Sequence, residues 1–121
     1  MGISIHMNDS NFYLAAAGKA AAFDACRHLD GHWVHPGDTK GCTCLREVLE
    51  VWGYDVKEDA DGNFTGIEFN GEKLGDEAKV WSAIAPWVKD GSFIEMGGDY
   101  SFRWVFKKGK CKEVRARFDD D

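Results

Sequence analysis

Tyr100, Phe102, Trp104 and Phe106 put four aromatic rings at every second position of one short stretch. No other feature constrains the fold as much. A strand turns successive side chains to opposite faces, so the rings share one face and Ser101, Arg103, Val105 and Lys107 share the other. Such a face is stable only under an apolar cover. The preceding segment supplies one, because Val80, Trp81, Ile84, Trp87 and Val88 fall near one side at helical spacing. Gly66 to Phe118 therefore reads as strand, helix, then three strands joined by tight turns.

The remainder is read outward from this unit. Ile3, Ile5 and Met7 alternate, Asn8-Asp9-Ser10-Asn11 reads as a turn, and Phe12-Tyr13-Leu14 as a short strand. Alanine-rich sequence predicts a helix from Ala15 to Leu29, stopped at Gly31, with Ala16, Ala20, Phe23 and Cys26 inward. Thr43 is placed to cap a second helix, Cys44 to Trp52, which Gly53 ends. Tyr54 to Glu58 and Phe64 to Phe69 read as the arms of a hairpin about Asp59-Ala60-Asp61-Gly62-Asn63. Asp76 caps the third helix, and Pro86 kinks or breaks it. Strands then follow at Ser92 to Met96, Tyr100 to Phe106 and Cys111 to Phe118. The expected fold is α+β, one domain over residues 1–121, with a single antiparallel sheet and about three helices on its aromatic face. The hairpins are too many for a parallel doubly wound sheet.

Charge narrows the function classes. The formal net charge is -6, yet residues 107–118 hold six basic residues against the single acid Glu113. The rest of the chain is correspondingly more acidic. That balance argues against direct nucleic-acid binding, which needs a broad basic surface. No apolar run is long enough to span a membrane. The start has no basic region followed by an apolar one, and four Cys in such a sequence suit reduced thiols or a metal, so the expected location is cytoplasmic.

Four stretches carry candidate chemistry. Cys26, His28, His32, His35, Cys42 and Cys44 put six potential metal ligands within nineteen residues. Zinc prefers two close ligand pairs separated by a loop, and His32, His35, Cys42 and Cys44 fit that scheme as a structural site. Cys-x-Cys is a less common knuckle than Cys-x-x-Cys, and the same stretch also reads as a polar loop with incidental His beside buried Cys. Asp59-x-Asp61-Gly62 with Glu68 copies part of a calcium loop, but Lys57 stands where the first carboxylate must be, so a hairpin turn is expected. Cys26 with His28, or Cys42 with His35, could form a nucleophile pair, without any glycine-rich elbow to support it. Arg103, Lys107, Lys112, Arg115 and Arg117 form a basic face. It reads either as a docking patch for an acidic partner or as charges that keep an edge strand from pairing.

The runs Gly62-Asn63-Phe64-Thr65-Gly66-Ile67-Glu68-Phe69-Asn70-Gly71-Glu72-Lys73-Leu74-Gly75-Asp76, Ala83-Ile84-Ala85-Pro86-Trp87-Val88, Asp90-Gly91-Ser92-Phe93-Ile94-Glu95-Met96 and Arg103-Trp104-Val105-Phe106 carry a resemblance. Over roughly Thr43 to Val114 the chain resembles a family of small uncharacterised proteins from phages and bacterial mobile elements. The family carries no established activity and no agreed catalytic residues, so the resemblance implies no site. Two departures stand out. The family pattern after the Ile-Glu-Met strand is longer and more acidic than Gly97-Gly98-Asp99, and the His/Cys loop is not part of it.

The sequence thus leads to a small acidic, non-enzymatic binding protein. Its concrete form is a phage-encoded inhibitor of a host defence system, of anti-CRISPR type, acting stoichiometrically on a protein that itself binds nucleic acid. The alternatives are a zinc-stabilised interaction domain and a small Cys- or metal-dependent hydrolase. A homodimer through the last strand is a further expectation.

Overall fold

In a computed structural model, which describes residues 5–30, 34, 36–71, 76–98 and 101–115, the aromatic strand does what its alternation requires. Phe102, Trp104 and Phe106 are buried, while Arg103 and Lys107 are exposed. The cover is the predicted helix. The Trp81 ring lies 5.7 Å from Trp104 and 6.3 Å from Phe106, and it also meets Tyr54 at 5.0 Å and Phe12 at 6.4 Å. One ring therefore joins the aromatic strand to both halves of the molecule, and tilted or edge-on contacts of this kind add to the burial of each ring. A contiguous apolar core runs from Phe12 to Phe106.

The strands are β1 (His6–Asn11), β2 (Tyr54–Glu58), β3 (Phe64–Phe69), β4 (Phe93–Gly97), β5 (Phe102–Lys107) and β6 (Lys110–Arg115). The helices are α1 (Lys19–Cys26), α2 (Pro36–Thr39), α3 (Leu45–Val51) and α4 (Glu77–Ile84). The class is α+β, but the strands divide over two sheets instead of one. Strands β1, β4, β5 and β6 form a four-stranded antiparallel sheet in the order β1-β4-β5-β6, and β2 pairs only with β3. The sheets meet at Leu14, whose N–H and C=O exchange bonds of 3.0 and 2.9 Å with Phe64. Beyond that point β1 and β3 are linked by the Ser10 hydroxyl donating to the Ile67 carbonyl at 3.1 Å. The register is irregular between Met7 and Asp9 in the β1–β4 pair and between Lys57 and Glu58 in the β2–β3 pair, and such irregularities add local twist.

Asn8 to Asn11 is not a turn. It is strand β1, with Asp9, Ser10 and Asn11 paired to Glu95, Ile94 and Phe93. Pairing with an interior strand overrides the turn preference of Asn and Asp, because what a strand position rewards is its cross-strand context.

The helix boundaries follow local chemistry. Helix α3 starts one residue later than expected. Cys44 takes the N-cap position, and Glu47 reaches back to accept bonds from the Thr43 N–H at 2.7 Å and the Thr43 hydroxyl at 3.0 Å. That is one half of a capping box, shifted by one residue. Asp76 occupies the N-cap position of α4 but contributes its carbonyl, which accepts from the Lys79 N–H at 2.9 Å. Pro86 breaks the helix as expected. Helix α4 stops at Ile84 and a 3₁₀ turn, Ala85–Trp87, carries the chain away. A second 3₁₀ turn, Ala16–Gly18, leads into a helix α1 shorter than the alanine content suggested. Gly18 sits where a Cβ would come within 2.9 Å of the Trp87 Cβ, so the two turns pack backbone against ring.

Candidate interaction surfaces

Of the proposed zinc ligands, His32 and His35 lie outside the described residues. Cys42 and Cys44 are half-buried on the approach to α3. Cys26 is fully buried on α1, and burial pushes its thiol up to about 12. Burial also raises Cys42, with the Glu47 carboxylate adding to the effect. A nucleophilic thiol needs the opposite perturbation, a lowered pKa from a cation or a base. Among the described residues no three His, Cys, Asp or Glu side chains are grouped to hold a metal ion.

The Asp59 loop is a hairpin turn. One Asp59 carboxylate oxygen accepts the backbone N–H groups of Asp61 and Asn63, each at 2.9 Å, and the other accepts the Asn63 side-chain amide at 3.0 Å. These bonds, the Asn63 amide first, hold the Asp59 carboxyl below its usual value. The oxygens a calcium ion would need are thus spent on the turn, which Gly62 completes at φ 85°.

The hairpin β2–β3 is braced from two directions. Lys19, at the start of α1, donates to Glu58 Oε2 and to the Gly62 carbonyl, both at 2.9 Å, and lies 4.9 Å over the Phe64 ring. Arg46, on α3, pairs with Glu58 Oε1 and donates to the Val56 carbonyl at 3.3 Å. Arg46 first, then Lys19, lowers the Glu58 carboxyl. The Asn63 side-chain oxygen accepts the Ala16 N–H at 2.8 Å. What remains outward is acidic: Asp55, Asp61 and Glu68 are exposed, and Lys57 is the hairpin's one basic residue.

The opposite end of the molecule is basic. Strand β6 is an edge of the four-stranded sheet, a placement that the sequence could not supply. The register puts Lys107 opposite Lys110, Val105 opposite Lys112 and Arg103 opposite Val114, so these six residues share the outward face. Arg103 bonds Glu95 at 2.7 Å and stacks 4.3 Å from the Phe93 ring, which fixes the middle of that face. Strands β5 and β6 are joined by Lys108 and Gly109, both in the left-handed region at φ 54° and 76°. This is the backbone of a two-residue hairpin turn, which ordinarily selects Asn-Gly. Lys at its first position is out of the ordinary.

The described residues include no helix long and apolar enough to cross a membrane. Searches of family models, of curated proteins and of solved structures find no match for this chain.

Proposed function

We propose that this chain is a small acidic binding protein, non-enzymatic and cytoplasmic, that occupies a basic nucleic-acid-binding groove on another protein. The observation that carries the reading is the braced acidic hairpin. Asp55, Asp61 and Glu68 project from a β2–β3 unit that Lys19 and Arg46 lock to two helices. A rigid display of carboxylates pays little ordering entropy on binding. Charge complementarity would steer it towards a basic groove and set the salt dependence of the complex. The resemblance to phage and mobile-element proteins directs the reading to an inhibitor of a host defence nuclease, of anti-CRISPR type.

The test uses tagged wild-type protein and the variant D55N/D61N/E68Q as baits in lysate of the source host. The expected result is one nucleic-acid-binding protein retained at low salt, released at about 0.5 M salt, and absent with the variant. Equal capture by both baits, or none at low salt, would overturn the reading.

The zinc-stabilised alternative at His32, His35, Cys42 and Cys44 has its own readout, metal content by mass spectrometry on freshly purified protein. One zinc per chain, lost in Cys42→Ser and His35→Ala, would favour it. Metal-free protein would retire it and, with it, the metal-dependent hydrolase.

A further inference from the structure

We infer that the edge of β6, unpaired among the described residues, accepts an extended acidic segment of a partner protein as an added strand. The inference concerns a different surface from the acidic hairpin and stands or falls separately.

The first support is main-chain geometry. Lys107 and Lys110 flank the two-residue turn, so they form a hydrogen-bonded pair, and the pairing alternates from there. Phe106 agrees: its N–H and C=O bond Ser92 and Gly91, away from β6, each at 2.9 Å. Cys111 and Glu113 therefore direct their N–H and C=O groups to the open side, where the sheet has no further strand among the described residues. Strand β6 has six residues, Lys110–Arg115, which gives an edge of about 20 Å.

The second support is the side-chain pattern on the outward face. Lys110, Lys112 and Val114 follow one another at every second position, next to Lys107, Val105 and Arg103 of β5. Val114 is 43% exposed, one of two large hydrophobic residues exposed among those described. Val105, Lys107, Lys110, Lys112 and Val114 line one shallow groove there. Lysines on an edge commonly serve to repel other strands. That role does not call for an exposed valine in the same row, nor for a fourth lysine held in the left-handed turn position.

Charge selects the occupant. A second copy pairing β6 with β6 would bring together two strands that each carry Lys110, Lys112 and Arg115 against the single acid Glu113, so like charge accumulates across the seam. An acidic strand meets the same edge with complementary charge. An antiparallel strand placed opposite Val114, Lys112 and Lys110 needs an apolar residue, then an acid two residues later, then another acid two residues after that. Its remaining positions face the side covered by α4 and the Ala85–Trp87 turn, both of which contact β6.

The probe is a fluorescein-labelled ten-residue peptide with the core Val-Thr-Glu-Thr-Glu, titrated onto the full chain by anisotropy. Saturable 1:1 binding is expected, about tenfold weaker for K110E/K112E. Glu113→Pro removes an edge N–H without breaking the β5–β6 ladder. It also removes the only acid of β6. Strand addition therefore predicts weaker binding for this variant, whereas simple charge attraction predicts tighter binding. Hydrogen exchange supplies a second readout, since the amides of Cys111 and Glu113 should gain about tenfold protection when the peptide binds. Tighter binding by Glu113→Pro, unchanged exchange at both amides, or no binding of the peptide at low salt would overturn the proposal. So would a concentration-dependent dimer that Glu113→Pro dissociates, because the edge would then belong to a second copy.

Discussion

Replacing Tyr54 by Phe removes one oxygen from the centre of the molecule and leaves the shape unchanged. Tyr54 is fully buried on β2, and its hydroxyl donates to Glu77 Oε2 on α4 at 3.1 Å. Glu77 is itself only 2% exposed. The bond therefore ties the two-stranded sheet to the helix that covers the four-stranded one, at a site with no access to replacement water. Burial of the phenol, and the Glu77 carboxylate beside it, raise the Tyr54 pKa, so the hydroxyl stays a donor at any pH of interest. Removing one partner of a buried hydrogen bond costs about 1–3 kcal/mol, and Phe creates no cavity that would add to this. For a chain of 121 residues a loss of about 2 kcal/mol lowers the Tm by about 8 °C. Urea unfolding followed by tryptophan fluorescence gives the free energy, and calorimetry gives the Tm. The control is Glu77→Gln alone and with Tyr54→Phe, because the double variant should lose less than the sum of the two single ones. A loss below about 0.5 kcal/mol for Tyr54→Phe would refute the view that this bond couples the two sheets.

Four further outcomes follow from particular contacts. Gly18→Ala places a Cβ 2.9 Å from the Trp87 Cβ and should cost about 1–3 kcal/mol in urea unfolding, whereas at Gly97 the nearest atoms belong to the Asn8 side chain, which can swing away, so Gly97→Ala should cost markedly less. Lys108→Asn relieves a left-handed residue at φ 54° and should raise stability by about 0.5–1 kcal/mol, with no change in far-ultraviolet circular dichroism. Iodoacetamide at pH 8 should modify Cys44 well before Cys26, whose buried thiol is pushed up to about 12, and peptide mass mapping of native and urea-unfolded protein reads the order. Cys26 and Cys111 are both raised from 9.0 to about 12 in the fold, so their contribution is complete below pH 9 and is lost as pH climbs towards 12; the urea midpoint should fall over that interval, less steeply in Cys26→Ala.

Much of the fold was legible because its signals are local. The turn residues Asp59 to Asn63 between two apolar-rich arms fixed both strands of the β2–β3 hairpin at the observed bounds, Tyr54–Glu58 and Phe64–Phe69. Alternation identified the aromatic strand, helical spacing identified Trp81 as its cover, and proline chemistry located the break after Ile84. What was missed depends on partners distant in sequence. Asn8 to Asn11 has turn composition and becomes a strand only because β4, some eighty residues later, lies beside it. Phe12 to Leu14 reads as a short strand in the sequence, but only Leu14 pairs, through isolated bridges to Phe64 and Val88, so the two sheets touch there without merging. The edge position of β6 is a matter of strand order, which composition does not encode. The surfaces divide in the same way. The acidic and basic stretches are visible in the sequence, but the bracing of Glu58 by Lys19 and Arg46 joins three separate elements. The zinc scheme was drawn from spacing alone, and His32 and His35 lie outside the described residues.

The central claim is that the acidic β2–β3 hairpin takes the place of nucleic acid on a basic partner. The direct measurement is a competition assay. The partner captured from the host is loaded with labelled nucleic acid, and the chain is titrated in while anisotropy is followed. The account predicts displacement at one chain per partner, weakened by salt and lost in D55N/D61N/E68Q. A ternary complex that keeps its nucleic acid, or equal displacement by the neutralised variant, would contradict it.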